Sequence, residues 1–381
     1  MNTHKNICLI TSGHSPLDER IFYKFGLTLL NAGYNVSVIA STKQLTDTID
    51  GIKVYGFDGS AFSKPDKLIK LNKLLKETMP DLIICSEPLT IVAALRYKKQ
   101  NPKLKIIYDI TEWYPHQNML NQFSGLKRTF FYQIYSLFNI YVSNRADHLI
   151  IGEKLKAIPY RFMAPFKKHT IISYYPSKKH FQYSPPPYNG KTFTICYTGI
   201  ISQERGFPRF IKLIKMIAIE FPDKLFNVKI IGPFENEDLR ELMNSLSTLS
   251  NILIDYKDWV DYKNFSTELK SVDICIDLRD KNKVYNKSLP IKIFDYMACG
   301  KPVIYTKLDS LKRFPDINKF GLLTEPDNLS EAKEWIKFYL NNSDKLKVQS
   351  ENARWLFEGF YNWEILEIRL LIIVNDLLRV N

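Results

Sequence analysis

The sequence predicts an α/β protein of two doubly wound, Rossmann-like domains in tandem. Three observations carry that expectation. Short apolar runs alternate with longer amphipathic stretches along the chain. The apolar runs, such as Ile7-Cys-Leu-Ile-Thr11 and Lys105-Ile-Ile-Tyr-Asp109, are continuous rather than alternating, as buried parallel strands are. The rhythm stops at Tyr183-Ser-Pro-Pro-Pro-Tyr-Asn-Gly190 and then restarts. Three consecutive prolines cannot continue a helix or a central strand, so this stretch reads as an interdomain linker.

Taken in order, strands are expected at Ile7–Thr11, Val36–Ala40, Ile52–Phe57, Leu82–Cys85, Lys105–Asp109, His148–Ile151 and Thr170–Tyr175. Helices are expected at Arg20–Ala32, Lys64–Thr78 and Thr90–Lys98. After the prolines come strands at Phe193–Thr198, Val228–Ile231, Ile252–Tyr256, Ile274–Leu278 and Pro302–Tyr305. They alternate with helices at Arg209–Ala218, Asp238–Leu246, Ile291–Ala298 and Glu331–Tyr339. A closing stretch, Trp363–Leu378, is helical and too apolar to be solvated all round. The expected boundaries are 1–185 for the first domain, 186–360 for the second and 361–381 for a helix that packs back toward the first. A length of 381 residues suits two cores better than one. Ligands in such sheets bind outside the carboxyl ends of the strands, so two facing domains are expected to enclose a cleft.

Composition narrows the class. Hydrophobic residues make up 45% of the chain, too many for disorder. The opening MNTHKNICLITSGH has no signal-peptide pattern, and no window offers ~20 uninterrupted apolar residues. Five cysteines stand without a C-x-x-C pair, so neither a zinc site nor a disulfide framework is expected. A reducing cytoplasm fits. The net charge of +13 is uneven: residues 1–190 carry 25 Lys and Arg against 13 Asp and Glu, and residues 191–381 carry 28 against 27. The first half is therefore expected either to face an anionic lipid surface, a phosphorylated acceptor or a nucleic acid, or to carry a generic basic surface. No nucleic-acid recognition motif accompanies the charge.

Two stretches of the second half carry anion chemistry. Tyr197-Thr-Gly-Ile-Ile-Ser-Gln-Glu-Arg-Gly206 reads as strand end, loop and helix start. Gly199 lets the loop turn, and Arg205 stands where a guanidinium reaches phosphate oxygens beside free helix amides. The alternative is a solvated arginine in a loop. The second stretch is Lys287-Ser-Leu-Pro-Ile-Lys-Ile-Phe-Asp-Tyr-Met-Ala-Cys-Gly-Lys-Pro-Val303. Pro290 suits a helix start, and Ser288 is a candidate cap and phosphate ligand. Lys292 in the first turn opposes the helix dipole, a placement that favours a nearby anion. Asp295, three residues on, shares its side of the helix and can accept hydrogen bonds from a ribose diol. The bland alternative is an exposed Lys–Asp pair.

In the first half, Thr11-Ser-Gly-His-Ser-Pro-Leu-Asp-Glu-Arg20 follows the first strand. Gly13 permits close approach there, and His14, Asp18 and Arg20 are polar groups at a carboxyl edge. Asp18 serves equally as a helix cap. Ser86-Glu87 follows the fourth strand, and Tyr108-Asp-Ile-Thr-Glu-Trp-Tyr-Pro-His116 follows the fifth. Gly125–Tyr141 mixes basic residues with aromatics and reads either as an interfacial helix or as a core helix. The lysines 64, 67, 70, 73 and 76 favour peripheral membrane contact.

The segment from Lys287 to Val303 resembles the signature of the large retaining glycosyltransferase family with the GT-B fold. This is the bacterial group 1, family-4-like type found in capsule, lipopolysaccharide and exopolysaccharide synthesis. Asp295 matches the second acid of that signature, while Lys287 stands where the first acid usually is. Gly199–Gly206 resembles the family's phosphate loop, with Arg205 at the lysine position and Ile200 at the arginine position. Ile231-Gly-Pro233, Asp258-Trp-Val260, Gly321–Glu325 and Tyr361-Asn-Trp363 resemble further landmarks in the expected order. Tyr108–Pro115 resembles the family's Tyr-Asp-x-His-Glu-x-x-Pro, with Thr111 in place of the histidine near the reacting sugar.

The resemblance implies an N-terminal acceptor-binding domain and a C-terminal domain binding a UDP- or GDP-linked sugar. The expected acceptor is a cell-surface polysaccharide or a lipid-linked saccharide. In this reading Arg205, Lys292, Asp109, Glu112 and Thr111 serve catalysis. Gly199, Arg205, Ser288, Lys292, Asp295, Pro233 and Val260 hold the donor, and Gly13, His14, Asp18, Arg20, Glu87 and His116 line the acceptor side. No metal or other cofactor is expected, because cationic side chains can neutralise the leaving diphosphate. The competing readings are a nucleotide-sugar epimerase of the related fold, a nucleotide-sugar-binding homologue with impaired catalysis, and a nucleic-acid binder suggested by charge alone.

Overall fold

The computed structural model describes residues 5–115 and 117–379. The chain divides into two compact units, Met1–Tyr174 with Glu364–Asn381, and Tyr175–Trp363.

The first unit is built on an eight-stranded sheet. Its strands are β1 (Asn6–Thr11), β2 (Asn35–Ala40), β3 (Leu45–Ile49), β4 (Ile52–Gly56), β5 (Leu82–Cys85), β6 (Lys105–Ile110), β7 (His148–Ile151) and β8 (His169–Ile171). They lie in the order β3-β4-β2-β1-β5-β6-β7-β8. All neighbours are parallel except β3 and β4. Chain order reverses at β1, which pairs with β2 on one side and β5 on the other. The carboxyl ends of β1 and β5 are therefore the topological switch point. β3 was not expected, because Leu-Thr-Asp-Thr-Ile lacks a continuous apolar run. It forms by a hairpin through Asp50 and Gly51, both with positive φ (47° and 85°), the conformation a two-residue primed turn needs.

The expected helix Arg20–Ala32 is present with a different winding. Glu19–Gly26 is π-helical and only Leu27–Asn31 is α-helical. The wide turns carry two buried cations, Arg20 and Lys24, inward on one side. Lys24 bonds the carbonyl of Tyr174 at 3.3 Å. The helices Lys64–Thr78, Pro88–Lys98 and Gly125–Arg145 pack side by side in one layer. The last helix, Trp363–Leu378, joins this unit from Glu364 onward. Glu367 accepts from Thr28 Oγ1 at 3.1 Å, Asn375 from Tyr34 Oη at 2.5 Å, and Leu366, Leu370, Ile373 and Val374 are buried.

The second unit has six parallel strands: β9 (Thr192–Thr198), β10 (Leu225–Ile231), β11 (Ile252–Lys257), β12 (Ile274–Asp277), β13 (Val303–Thr306) and β14 (Gly321–Thr324). Their order is β11-β10-β9-β12-β13-β14, with the switch point between β9 and β12. Alternation along β9 shows why both faces are covered. Phe193, Ile195 and Tyr197 enter one apolar cluster and Cys196 enters another. Burial on both faces explains the continuous apolar runs in the sequence.

The division at Tyr174 and Tyr175 precedes the prolines that suggested a boundary at residue 185. Packing gives the reason. Tyr175 lies 4.7 Å, ring to ring, from Phe294, and Phe181 lies 5.3 Å from Tyr262. Ser184 N donates to Cys299 O at 3.1 Å and Tyr188 N to Asp273 Oδ1 at 2.7 Å. The prolines are thus strapped to the second unit, and side-chain anchors decide the assignment rather than the break in secondary structure.

Candidate functional site

In the second unit the loop after β9 and the helix Lys292–Cys299 meet at the switch point. Gly199 has φ +97°, and a Cβ there would lie 2.0 Å from Lys292 Nζ and 3.6 Å from Arg205 Nη1. Only a residue without a side chain lets the ammonium rest against this backbone. Gly206, φ +77°, starts the helix Phe207–Glu220 with its Cα against Leu278 O; a Cβ would lie 2.0 Å from that oxygen. That contact seats the Arg205 loop on the end of β12. The predicted pair of cations, Arg205 and Lys292, is brought together.

Sequence reasoning missed the groups beneath them. At the end of β12, Arg279 binds both carboxylate oxygens of Asp277 through Nε and Nη2, with Nε 2.8 Å from Oδ1, and both residues are buried. Tyr285 and Tyr305 flank the guanidinium at 5.0 and 5.3 Å, and Thr306 Oγ1 donates to Arg279 O at 2.8 Å. The available signal was an acid and a base, Asp277 and Arg279, closing an otherwise apolar strand. Burial and the neighbouring Arg279 and Arg205 lower the Lys292 pKa to about 7 against the opposing pull of Asp277 and Asp295. Burial would raise the Asp277 pKa, but the neighbouring Arg279 and Lys292 outweigh it and hold the carboxyl below its ordinary value. The cluster holds three cationic side chains around one paired carboxylate.

Other expected donor residues fall differently. Ser288 does not cap the signature helix. It ends the short helix Lys283–Lys287, donating its N–H to Val284 O at 3.0 Å, and its carbonyl accepts from Ser310 Oγ at 2.9 Å. The residue before Lys292 is Ile291, which has no side-chain cap bond. Asp295 is buried at 8% exposure, so the exposed Lys–Asp surface pair is not what forms. Pro233 belongs to the loop after β10, where its carbonyl accepts from Ile201 N at 2.8 Å. Val260 is half-buried after β11, one strand further out. Ile200 is exposed at 46% and Lys287 is exposed.

In the first unit the switch point is closed by Glu87. Its carboxylate accepts from Thr11 Oγ1 at 2.7 Å, Ser12 N at 2.7 Å and Gly13 N at 3.1 Å. Burial raises its pKa against these bonds and the nearby His14. His14 Nε2 lies 3.7 Å from Glu87 and Nδ1 lies 3.4 Å from Asp18. Burial disfavours the imidazolium, but Asp18, Glu87 and Glu112 outweigh it and lift the pKa to about 9. His14 is therefore a cation at neutral pH. Asp18 also caps the π-helical turn, accepting from Arg20 N at 2.8 Å and Ile21 N at 3.1 Å, the capping role foreseen as an alternative for it.

Arg20 and Asp109 are not open to a substrate. They form a two-pronged pair, 2.7 Å on each arm, with Arg20 4% and Asp109 0% exposed. The rings of Phe25 and Tyr174 cover the guanidinium at 4.6 Å each. The pair fastens the π-helical turn to the end of β6. Thr111 is fixed through its carbonyl by Lys156 Nζ at 2.5 Å and Tyr174 Oη at 2.8 Å. Glu112 is exposed. His116 lies outside the described residues.

Two doubly wound units with cation chemistry at a strand switch point define an α/β protein of the GT-B fold. Residues 180–355 match the family model described as glycosyl transferases group 1. An uncharacterised glycosyltransferase of Methanocaldococcus jannaschii is 25% identical over 224 residues, covering 59% of this chain and 58% of the relative. The chain spans about half the length of the curated relatives it matches first, 58% of one and 42% of another. The sucrose-phosphate synthase of Thermosynechococcus elongatus shares the fold with a TM-score of 0.75 at 14% identity, covering 99% of this chain and all (100%) of that one. Anabaena HepE in complex with UDP-glucose has a TM-score of 0.69 at 12% identity, covering 98% and 100%.

Proposed function

We propose that this protein is a retaining glycosyltransferase that takes a UDP- or GDP-linked sugar in its second unit. The acceptor is a saccharide of a cell-surface polysaccharide or a lipid-linked saccharide. The observation that carries this reading is the cluster of Lys292 and Arg205 around Gly199, with Arg279 and Asp277 beneath. A diphosphate leaving group develops charge as the glycosidic bond to it breaks, and preorganised cations lower that barrier without reorganising. The similarity to HepE, solved with UDP-glucose, and the family match over residues 180–355 support the donor class. Asp295 serves the ribose in this reading. His14, Glu87, Thr111 and Glu112 serve the acceptor side, and the buried Arg20–Asp109 pair positions the strand ends that bear them.

The experiment is calorimetric titration of UDP- and GDP-sugars into wild type, Arg205→Ala and Lys292→Ala. One donor binding to wild type and weakened about tenfold or more in each variant, the loss of a charge-assisted hydrogen bond, is the expected result. A donor bound equally by all three proteins overturns the assignment of the phosphate site.

A further inference from the structure

At the switch point of the first unit β1 and β5 end level, with Ile10 paired to Cys85 and Ser86 N donating to Ile10 O at 3.2 Å. Glu87, the next residue, opens the helix Pro88–Lys98. Its main chain is tied there, because Thr90 Oγ1 donates to Glu87 O at 2.7 Å and Thr90 N at 3.1 Å. Its carboxylate reaches the loop after β1. Oε1 accepts from Thr11 Oγ1 at 2.7 Å and Gly13 N at 3.1 Å, and Oε2 from Ser12 N at 2.7 Å and Ser12 Oγ at 3.3 Å. A carboxylate offers about four lone-pair sites, so the protein itself fills them and leaves none for a ligand. The same loop is held from β1 and from the end of β2. Thr11 Oγ1 accepts from Gly13 N at 3.2 Å and His14 N at 2.9 Å, and His14 O accepts from Thr42 Oγ1 at 2.6 Å.

What this clamp presents is His14. Gly13 and Ser15 on either side are exposed, and 29% of the His14 side chain stays open although its main chain is fixed. Nδ1 faces Asp18 at 3.4 Å. Nε2 lies 3.7 Å from Glu87 Oε1, beyond hydrogen-bond reach, so among the described residues its N–H is left to donate to a ligand. The charged groups that face the ring are all acids: Asp18 ahead of the π-helical turn, Glu87 at the start of its helix and Glu112 after β6. Arg20, the cation of the same turn, is committed to Asp109. Three acids around one imidazole favour its protonated form, and a protonated ring is a donor, not a general base. We propose that Glu87 is a positioning residue: it makes no contact with the acceptor, but fixes the Thr11–His14 loop and holds His14 as a cation whose Nε2–H donates to an acceptor oxygen. The identity of the ligand as a saccharide acceptor rests on the transferase reading; the clamp itself does not.

The test is titration of the histidine imidazoles by nuclear magnetic resonance on the full chain, with the His14 signals assigned by their loss in His14→Gln. It needs neither donor nor acceptor, so failure of the clamp and failure of the transferase reading are separate results. In wild type the His14 midpoint is expected at about 9. Glu87→Gln keeps the shape of the side chain but removes its charge, and its amide nitrogen cannot accept. It should lower the His14 protonation constant at least about tenfold, or about one pH unit, and speed hydrogen exchange at the Ser12 and Gly13 amides. Thr11→Val leaves every charge in place and removes only the hydroxyl. It should speed exchange at Gly13 and His14 while His14 keeps most of its raised midpoint, a separation that loss of folding would not produce. A wild-type His14 that titrates at the ordinary imidazole value overturns the proposal. So does a Glu87→Gln protein whose His14 midpoint and loop exchange match wild type, or a saccharide complex in which Glu87 rather than His14 contacts the ligand.

Discussion

A methyl group added at Gly199 separates positioning of the phosphate site from folding of the domain. In Gly199→Ala the new Cβ would stand 2.0 Å from Lys292 Nζ and 2.5 Å from its Cε, but 3.6 Å from Arg205 Nη1. The lysine tip must leave, whereas the arginine keeps an ordinary contact. Because the tip is the flexible end of a long side chain, its departure costs little folding energy. The main folding cost is an alanine at φ +97°, about 1–2 kcal/mol. In a domain of this size that lowers the melting temperature by about 2–4 °C per kcal/mol. Donor affinity should fall by the value of one charge-assisted hydrogen bond, about 1.5–3 kcal/mol, or roughly tenfold to a hundredfold in Kd. Calorimetry of wild type, Gly199→Ala, Lys292→Ala and the double variant forms a cycle. If the methyl acts through Lys292, the double variant binds no more weakly than Lys292→Ala. Losses that add in the double variant, or a Gly199→Ala protein with wild-type affinity, would refute the claim that this glycine seats Lys292 on the phosphate.

The lowered pKa of Lys292, about 7, makes donor binding a proton-linked event. Above that pH the free site holds mostly neutral amine, and an arriving diphosphate favours the ammonium, so binding should take up a proton and weaken as pH rises from about 7 to 9. Calorimetry in buffers of different ionisation enthalpy measures the uptake, and Lys292→Arg, charged throughout, should abolish it. In the first unit, Asp109→Ala leaves the buried Arg20 guanidinium without its carboxylate. It should destabilise the protein by about 3–5 kcal/mol in chemical denaturation, whereas Arg20→Met with Asp109→Leu should recover part of that loss.

The parallel strands were legible because burial on both faces writes itself as uninterrupted apolar runs. Asn6–Thr11 and Lys105–Ile110 fall within a residue of expectation. β3 was not, because an edge strand half open to water has no such run; its only signal was the Asp50-Gly51 turn. The cation pair Arg205 and Lys292 was legible from chain position alone, since a strand end and a helix start converge at a switch point wherever the sheet is doubly wound. Their partner Arg279 was hidden. An acid and a base after an apolar strand were visible, but not that Arg279 folds back onto Asp277 beneath the other two cations. The same limit explains Arg20 and Asp109, both correctly placed at carboxyl edges but 89 residues apart in sequence. Only the fold shows that they neutralise each other rather than face a ligand.

The distribution of charge then takes on a meaning opposite to its first impression. Residues 1–190 hold nearly all of the chain's excess charge, yet the polar groups at that unit's switch point are largely matched. Arg20 answers Asp109, and His14 stands between Asp18 and Glu87. Its surplus lysines lie outward on helices. The second half is almost neutral overall, because its surface cations are matched elsewhere, as Lys281 is by Glu325 and Arg209 by Asp280 and Asp327. Its switch point gathers Arg205, Lys292 and Arg279 against Asp277, which Arg279 already engages, and the more distant pull of Asp295. A buried excess of positive charge is unfavourable in the empty protein, and the depressed pKa of Lys292 is its direct expression. A compact polyanion arriving there relieves that penalty while it binds. A broad basic surface such as that of the first unit yields only screened attraction over a Debye length. The two halves therefore place positive charge differently: one gathers it at a strand switch point around Arg205, Lys292 and Arg279, the other spreads it over exposed helices.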